Sequence, residues 1–306
     1  MSSDLFKFKF TPEKKPLETG SDRLSDVPQI KLSDEAFRDL REHIYNRCGI
    51  YFNEGKKYLL EGRIAKRILA NNLSTFEQYL NLLKSTHSRD ELNAFFEAIT
   101  INETYFFRAE QQFEAFEKIL IPEIIKNKQA TGGGNTFRIW SAASSTGEEP
   151  YTLAMMILER VKPLFPHVNF QILGSDINNA VLDAARKGIY KEYAIRNVPS
   201  IFMKKYFKEV GNTFVLSDEV KRMVRFTNIN LYDQAQMRAV SGCDVIFCCN
   251  VLIYFDIPSK SQVVSYLYDA LNRGGYLMIG YSESLHGVSK AFKLIHLPKA
   301  LAYKKE

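Results

Sequence analysis

Cysteine is scarce in this 306-residue sequence, and the positions of its four cysteines exclude two common kinds of site. Cys48, Cys243, Cys248 and Cys249 have neither the CxxC spacing of a zinc site nor the density of a disulfide scaffold. We therefore expect reduced, mostly buried thiols and no metal. A long apolar run is also missing, since no segment approaches the roughly 20 apolar residues that cross a bilayer. The sequence thus predicts no direct membrane insertion.

The N-terminus lacks the continuous apolar segment of a secretory signal, because Asp4, Lys7 and Lys9 interrupt its hydrophobic residues. We therefore expect a cytoplasmic protein. Residues 1–29 have little periodicity and many charged residues, which predicts a flexible leader. The net charge is only +6, so it favours acidic partners without separating nucleic acid from an acidic protein surface.

Residues 33–88 have the periodicity of an all-helical domain. Ser33 precedes two acidic residues, which predicts a helix start, and we expect that helix to end near Gly49. Ser74 followed by Glu77 fits a capping box at the start of a later helix.

Three basic residues, Lys56, Arg63 and Arg67, are spaced by seven and four positions and so share one face of a predicted helix. Two interpretations stay open at this point. The face is either a solvated charged surface or a docking surface for an acidic partner.

The sequence pattern changes after residue 127, where short apolar strands begin to alternate with helical segments. This alternation predicts a parallel sheet wound with helices, as the second of two domains. Ligands of such sheets bind beyond the carboxyl ends of the strands. The residues that follow each strand are therefore the first candidates for a functional site.

Acidic residues follow the first two predicted strands. The strand FRIW runs into SAASSTGEEP, a small-residue turn that is not GxGxxG, and Glu148 and Glu149 there would repel a phosphate. This pattern favours a ligand with a cationic group, such as S-adenosylmethionine with its sulfonium and amino groups. Asp176 ends the next strand, where a carboxylate can accept hydrogen bonds from both ribose hydroxyls. Alternatively, the glutamates only begin a helix and Asp176 only caps one.

The strand CDVIFCC is followed by Asn250 and then Tyr254, so both are expected at the same edge of the predicted sheet. The tyrosine is either a buried aromatic residue or part of the site.

Together these motifs resemble the chemotaxis receptor methyltransferases, the CheR family. The likeness runs in the family's order from about residue 30 to the C-terminus, through the stretches ITINETYFFR at 99–108, WSAASSTGEEPY at 140–151, GSDI and KGIY within 174–190, NINL at 228–231, IFCCNVLIYF at 246–255 and GGYLMIGYSES at 275–285. One difference is Cys249, where many relatives have arginine.

The resemblance implies an α/β fold: a Rossmann-like S-adenosylmethionine-dependent methyltransferase domain with a small antiparallel β subdomain insertion, preceded by a small all-α domain. On this basis the helical domain and linker cover residues 30–110, and the methyltransferase domain covers 111–306. The inserted subdomain is expected at about 192–226.

The resemblance also implies the site. Arg108 and Tyr254 would be catalytic, with Arg108 near the transferred methyl group and Tyr254 beside the sulfonium. The expected cofactor-binding residues are Asn102, Thr104, Arg108, Glu149, Asp176, Asn230, Leu231, Cys249 and Asn250.

The implied activity is methylation of glutamate side chains on chemotaxis receptors, giving glutamyl methyl esters, with S-adenosylhomocysteine as the product and no metal. The partner would be the cytoplasmic helical region of the receptors, docked on Lys56, Arg63 and Arg67, and the enzyme would be a monomer associated with receptor clusters without binding nucleic acid. Two alternatives remain: a methyltransferase of another substrate, and a non-catalytic adenosylmethionine-binding signalling module. The strand end Asn250-Val251-Leu252-Ile253 does not have the NPPY form that would favour a nucleic acid substrate.

Overall fold

The computed structural model describes residues 30–85 and 89–306, so the expected leader at 1–29 lies outside the described residues. The helices are α1 Asp34–Cys48, α2 Lys57–Ala70, α3 Phe76–Lys84, α4 Arg89–Ile99, α5 Glu110–Ala115, α6 Ile121–Thr131, α7 Glu148–Met156, α8 Asn179–Lys187, α9 Glu192–Ile195, α10 Ser200–Tyr206, α11 Asp218–Lys221, α12 Gln234–Arg238 and α13 Ile257–Ala270. The strands are β1 Thr136–Ala142, β2 Asn169–Asp176, β3 Ile189–Tyr190, β4 Phe207–Val210, β5 Thr213–Leu216, β6 Val224–Asn228, β7 Cys243–Cys248, β8 Leu271–Ile279, β9 Phe292–Leu297 and β10 Ala300–Lys305.

Helices α1 to α4 form the predicted all-α domain around its own hydrophobic core. Ser33 caps α1, because its Oγ accepts from the Ala36 amide at 3.0 Å. The helix ends at Gly49, whose φ of +71° is a conformation that glycine adopts without strain. Both predicted ends of this helix are therefore confirmed.

The predicted cap of α3 is wrong by one residue. Thr75, and not Ser74, is the N-cap, since its side chain accepts from the Gln78 amide at 3.2 Å. Gln78 Oε1 in turn accepts from the Ser74 amide at 2.9 Å. A glutamine three residues after a threonine satisfies the reciprocal cap as well as the Ser74 and Glu77 pair would, so the sequence alone does not choose between the two.

The main sheet has seven strands in the order β6-β2-β1-β7-β8-β10-β9, and β10 runs antiparallel to both of its neighbours. Neighbouring residues of β1 and β7 point into two separate hydrophobic clusters, Ile139 and Val245 into one and Trp140 and Ile246 into the other. Both faces of the sheet are thus covered, which confirms the predicted α/β fold with helices packed on a sheet. The expectation of a parallel sheet holds for β6, β2, β1, β7 and β8, whereas β10 is antiparallel to its neighbours. None of the helices in the described ranges combines the length and apolar character that crossing a membrane requires.

A small antiparallel sheet, in the order β3-β5-β4, is inserted between α8 and β6. It confirms the expected subdomain, but the expected limits of 192–226 are shifted. The range misses β3 and includes residues 224–226, which belong to the main sheet because Val224 pairs with Ile172 of β2. No change in composition marks either boundary.

Candidate active site

A cavity of about 290 Å³ lies between the helical domain and the carboxyl ends of β1, β2 and β7. The order of the strands reverses at β1, so its neighbours β2 and β7 place their ends on either side of one crevice. All of the residues expected to be catalytic or cofactor-binding line this cavity: Asn102, Thr104, Arg108, Glu149, Asp176, Asn230, Leu231, Cys249, Asn250 and Tyr254.

The turn between β1 and α7 brings backbone and small side chains to the cavity. Ala143 and Ser145 have φ values of +60° and +49°, which are uncommon outside glycine. Gly147, with φ +92°, has no room for a larger side chain, because a Cβ there would lie 3.0 Å from Ala185 Cβ. Ser144 is buried and lines the cavity, but its Oγ is enclosed by the protein and has no hydrogen-bond partner among the described residues. The turn therefore lines the cavity with backbone and small side chains.

Asp176 holds the same turn from the end of β2. Its Oδ2 accepts from the Ser145 amide at 2.9 Å, and its Oδ1 accepts from the Asn178 amide at 3.0 Å. Burial raises the pKa of the carboxyl, while these backbone donors lower it. The cap of α8 is Asn178, whose Oδ1 accepts from the Ala180 amide at 2.9 Å, so the alternative role of Asp176 as a helix cap is wrong.

The two consecutive glutamates have different environments. Glu149 lines the cavity and accepts from Ser141 Oγ at 2.8 Å. Burial raises the pKa of Glu149 to about 7, and the positive charge of Arg108 acts in the opposite direction. Glu148 is buried at the start of α7, where Thr146 Oγ1 donates to it at 2.7 Å, and burial also raises its pKa to about 7. Only Glu149 is therefore available to a ligand in the cavity.

The loop after β7 is held by Glu283, a residue that sequence reasoning missed. Its Oε2 accepts from the amides of Asn250 at 2.8 Å and Gly280 at 2.7 Å, and its Oε1 accepts from the Ile253 amide at 3.1 Å. Asn250 itself has a φ of +61°. One carboxylate thus fixes a strained loop that leads to Tyr254. The available signal was its position in GYSES, directly after an apolar strand.

Replacing Gly280 with alanine should destabilise this loop, because a Cβ there would lie 2.7 Å from Asn250 Nδ2 and 2.8 Å from Glu283 Oε2. We expect a loss of roughly 1–3 kcal/mol in the free energy of unfolding, as for other overpacked sites. Urea unfolding measures this loss. The control is Gly62→Ala in α2, where a Cβ meets nothing within 4 Å. A Gly280→Ala protein as stable as the control would contradict the role given to Glu283.

Arg108 and Tyr254 lie at the mouth of the cavity. Arg108 is exposed and its Nη1 donates to the Glu103 carbonyl at 2.6 Å. It follows Phe107, whose φ of +57° marks an irregular segment. Burial raises the pKa of the Tyr254 hydroxyl, and the charges of Arg108 and Arg63 lower it. Two guanidinium groups are thus near the tyrosine, where an anionic side chain could enter.

The helical domain forms one wall of the site. The Tyr51 amide donates to the Tyr254 carbonyl at 2.9 Å, and Asn230 Nδ2 donates to the Arg47 carbonyl at 2.7 Å. The Asn230 Oδ1 also accepts from the Tyr232 amide at 3.0 Å. The Asn230 amide group therefore joins the two domains, although the residue lines the cavity as expected.

The expectation of one basic helical face is wrong in part. Lys56 lies in a short 3₁₀ turn before α2, and Arg67 Nε donates to Glu91 Oε1 of α4 at 2.9 Å. Arg63 Nη1 donates to the Ile99 carbonyl at 2.9 Å. Lys56 and Arg63 line the cavity, whereas Arg67 is engaged between helices. The packing of α4 against α2, which helical spacing does not reveal, sets Arg67 apart from the other two residues.

Cys249 lines the cavity as a neutral thiol, because burial and the nearby Glu149 raise its pKa well above the usual range. Its Sγ lies 3.8 Å from Gln112 Oε1 and 3.8 Å from the Met278 carbonyl. The thiol therefore cannot supply the positive charge that an arginine would have here. Across residues 30–85 and 89–306, His, Cys, Asp and Glu side chains do not form any group of three that could hold a metal ion.

Two family models together match almost the whole described chain. The CheR methyltransferase, SAM binding domain, matches residues 102–301, and the CheR methyltransferase, all-alpha domain, matches residues 35–100. The junction between the two matches falls directly after α4, at the start of the segment that carries Arg108.

Similar curated proteins have chemotaxis names, and the matches cover most of their length. Chemotaxis protein methyltransferase 2 of Vibrio cholerae is 35% identical over 278 residues, which is 90% of this chain and 95% of the relative. Chemotaxis protein methyltransferase 1 of the same organism is 36% identical, and the chemotaxis protein methyltransferase of Vibrio parahaemolyticus is 35% identical. Both of these matches cover 90% of this chain and 98% of the relative.

Proposed function

This chain belongs to the CheR methyltransferase family, and we propose that it transfers the methyl group of S-adenosylmethionine to glutamate side chains of chemotaxis receptors. One observation carries the proposal: the carboxylates of Glu149 and Asp176 line the same cavity as the exposed cation Arg108 and Tyr254. A cationic cofactor suits the first pair of residues, and an anionic acceptor suits the second.

The residues of the cavity fit adenosylmethionine. Glu149 makes no ion pair with a described residue, and a bound sulfonium or ammonium group would favour its ionised form. The Asp176 carboxylate suits the ribose hydroxyls of the ligand. We propose that the remaining walls are formed by Asn102, Thr104, Asn230, Leu231, Cys249 and Asn250.

When bound, the cofactor supplies an electrophilic methyl group. In-line attack by a carboxylate oxygen would take up this methyl group and release S-adenosylhomocysteine. A glutamate side chain has a reference pKa of about 4.3, so it is already ionised at neutral pH and needs no general base. The work of this chain is then to orient the acceptor through Arg108 and to exclude water with the helical wall around Tyr51. A guanidinium group suits that task because its planar fork of donors matches a carboxylate.

We further propose that the acceptor belongs to the cytoplasmic helical region of a receptor and that the enzyme works as a cytoplasmic monomer. Lys56 and Arg63 at the cavity mouth support an acidic partner, and Arg67 has a smaller part because Glu91 neutralises it. Residues 30–110 would then serve as the docking domain and linker, and residues 111–306 as the catalytic domain.

The test is the transfer of radiolabel from methyl-labelled adenosylmethionine to receptor-containing membranes, followed by mild alkali. Carboxyl methyl esters hydrolyse under these conditions, and N-methyl groups do not. Alkali-labile label on receptors supports the proposal. Alkali-stable label would indicate another acceptor group, and binding of cofactor without any label would indicate a non-catalytic module.

Cofactor affinity should depend on pH through Glu149. Its pKa of about 7 in the free protein falls when a cation binds, so affinity rises as the pH increases through 7 and is lost below it. We expect the affinity ratio of wild type to Glu149→Gln to be roughly tenfold larger at about pH 8 than at about pH 6. Calorimetry of the two proteins at both pH values measures this ratio.

Glu148→Gln is the matched control, because burial also raises the pKa of Glu148 to about 7 but the residue does not line the cavity. Its affinity ratio to wild type should stay constant with pH. A constant ratio for Glu149→Gln as well would show that Glu149 does not change its ionisation on binding.

A further inference from the structure

An arginine of the inserted subdomain is stacked between two tyrosine rings near the cavity. The guanidinium carbon of Arg196 lies 3.5 Å from the ring centroid of Tyr105 and 3.7 Å from that of Tyr193. Arg196 directly follows α9 and also donates to the Tyr193 carbonyl. Tyr193 in turn donates from its hydroxyl to Glu103 Oε1 at 3.0 Å. The arginine is exposed and has no part in the cofactor cavity.

The segment at 102–108, which carries Arg108, has no regular secondary structure and depends on the insertion for its support. The Phe106 amide donates to the Ala194 carbonyl of α9 at 2.9 Å. The Phe106 ring packs between Tyr190 of β3, at 4.8 Å, and Phe207 of β4, at 5.2 Å. The insertion therefore holds Phe106, while α7 holds the next residue, because the Phe107 amide donates to Thr152 Oγ1 at 3.2 Å.

Tyr105 connects the two arginines. The guanidinium carbon of Arg108 lies 5.7 Å from the Tyr105 ring centroid, so two cations share one ring. Stacking on an aromatic face offsets their mutual repulsion. The position of the Tyr105 ring then determines how closely Arg108 is held to the cavity mouth.

We infer that Arg196 is a positioning residue for methyl transfer: stacked between Tyr105 and Tyr193, it fixes the segment at 102–108 and thereby aims Arg108 at the acceptor carboxylate. The inference rests on the proposed function for its catalytic consequence. Arg196 would thus allow the inserted subdomain to affect the rate of methyl transfer, through the planar stacking of its guanidinium group and not through its charge alone.

The test compares Arg196→Ala, Arg196→Lys and the control Arg222→Ala, which removes another exposed arginine of the same insertion at the end of α11. For Arg196→Ala we expect kcat to fall about tenfold, as the loss of two cation–π contacts and the misorientation of Arg108 imply. The affinity for adenosylmethionine should fall less than kcat, because Glu149 and Asp176 lie outside the segment at 102–108. The lysine variant keeps the charge but not the planar stack, so it should recover little of the lost kcat.

Hydrogen exchange of peptides that cover residues 102–108 gives a readout that needs no substrate. Exchange at Phe106 should be faster in Arg196→Ala than in wild type and unchanged in Arg222→Ala. Tyr193→Phe keeps the ring and should resemble wild type in kcat more closely than Tyr193→Ala does. This pair of variants tests the stack without touching the arginine.

The outcomes separate the inference from the proposed function. Wild-type kcat in Arg196→Lys would mean that only the charge matters, and unchanged exchange in Arg196→Ala would mean that the segment does not depend on Arg196; either result overturns the inference. Faster exchange in Arg196→Ala supports it, even if the wild type were to transfer no label to receptors. That absence of label would overturn the proposed function alone.

Discussion

Arg108→Ala is expected to lower kcat for receptor methylation by roughly 100-fold or more, the effect of misplacing a reacting group or removing an electrostatic contact in an active site. Arg108 is exposed at the cavity mouth, and its described hydrogen bond is to the Glu103 carbonyl. Donors of the guanidinium group therefore remain for an acceptor carboxylate. Initial rates with saturating adenosylmethionine measure the change in kcat directly.

The same substitution should affect cofactor binding and folding far less. Glu149 and Asp176, which lie deeper in the cavity, are untouched, and an exposed arginine adds little to stability. Arg108→Lys keeps the charge but loses the fork of donors, so its kcat should fall between those of wild type and the alanine variant. A large loss of cofactor affinity in Arg108→Ala, with kcat unchanged at saturating cofactor, would show that Arg108 binds cofactor and does not orient the acceptor.

The candidate site was largely predictable because the carboxyl ends of parallel strands meet at one edge of a sheet. Glu149, Asp176 and Asn250 each follow a short apolar strand, so their convergence follows from the order of the strands. The cationic character of the ligand follows from acidic residues at a helix N-terminus, where a phosphate would be repelled.

Other features depend on contacts between distant segments, and no local pattern reveals them. Arg67 shares a helical spacing with Arg63, yet Glu91 of another helix binds it. Glu283 supports Asn250 across 33 positions of sequence. The domain insertion begins at β3, only two residues long, which is too short for an alternating pattern to identify.

Asp176→Asn is expected to weaken the binding of adenosylmethionine by roughly 10-fold to 100-fold, the range for losing a hydrogen bond to a charged group. In the structure each oxygen of Asp176 already accepts from a backbone amide, Oδ2 from Ser145 and Oδ1 from Asn178. The asparagine side chain has only one acceptor oxygen. Its amino group must therefore face a backbone donor, which disturbs the turn that lines the cavity as well as removing the charge.

Asp176→Asn should also lower the free energy of unfolding by about 1–3 kcal/mol, because one buried backbone amide loses its acceptor. Glu148→Gln is the matched control, since it changes a buried carboxyl outside the cavity and should leave cofactor affinity at its wild-type value. Calorimetry with adenosylmethionine and urea unfolding measure the two effects. A folded Asp176→Asn protein with wild-type affinity for adenosylmethionine would show that Asp176 does not bind the cofactor and only supports the turn.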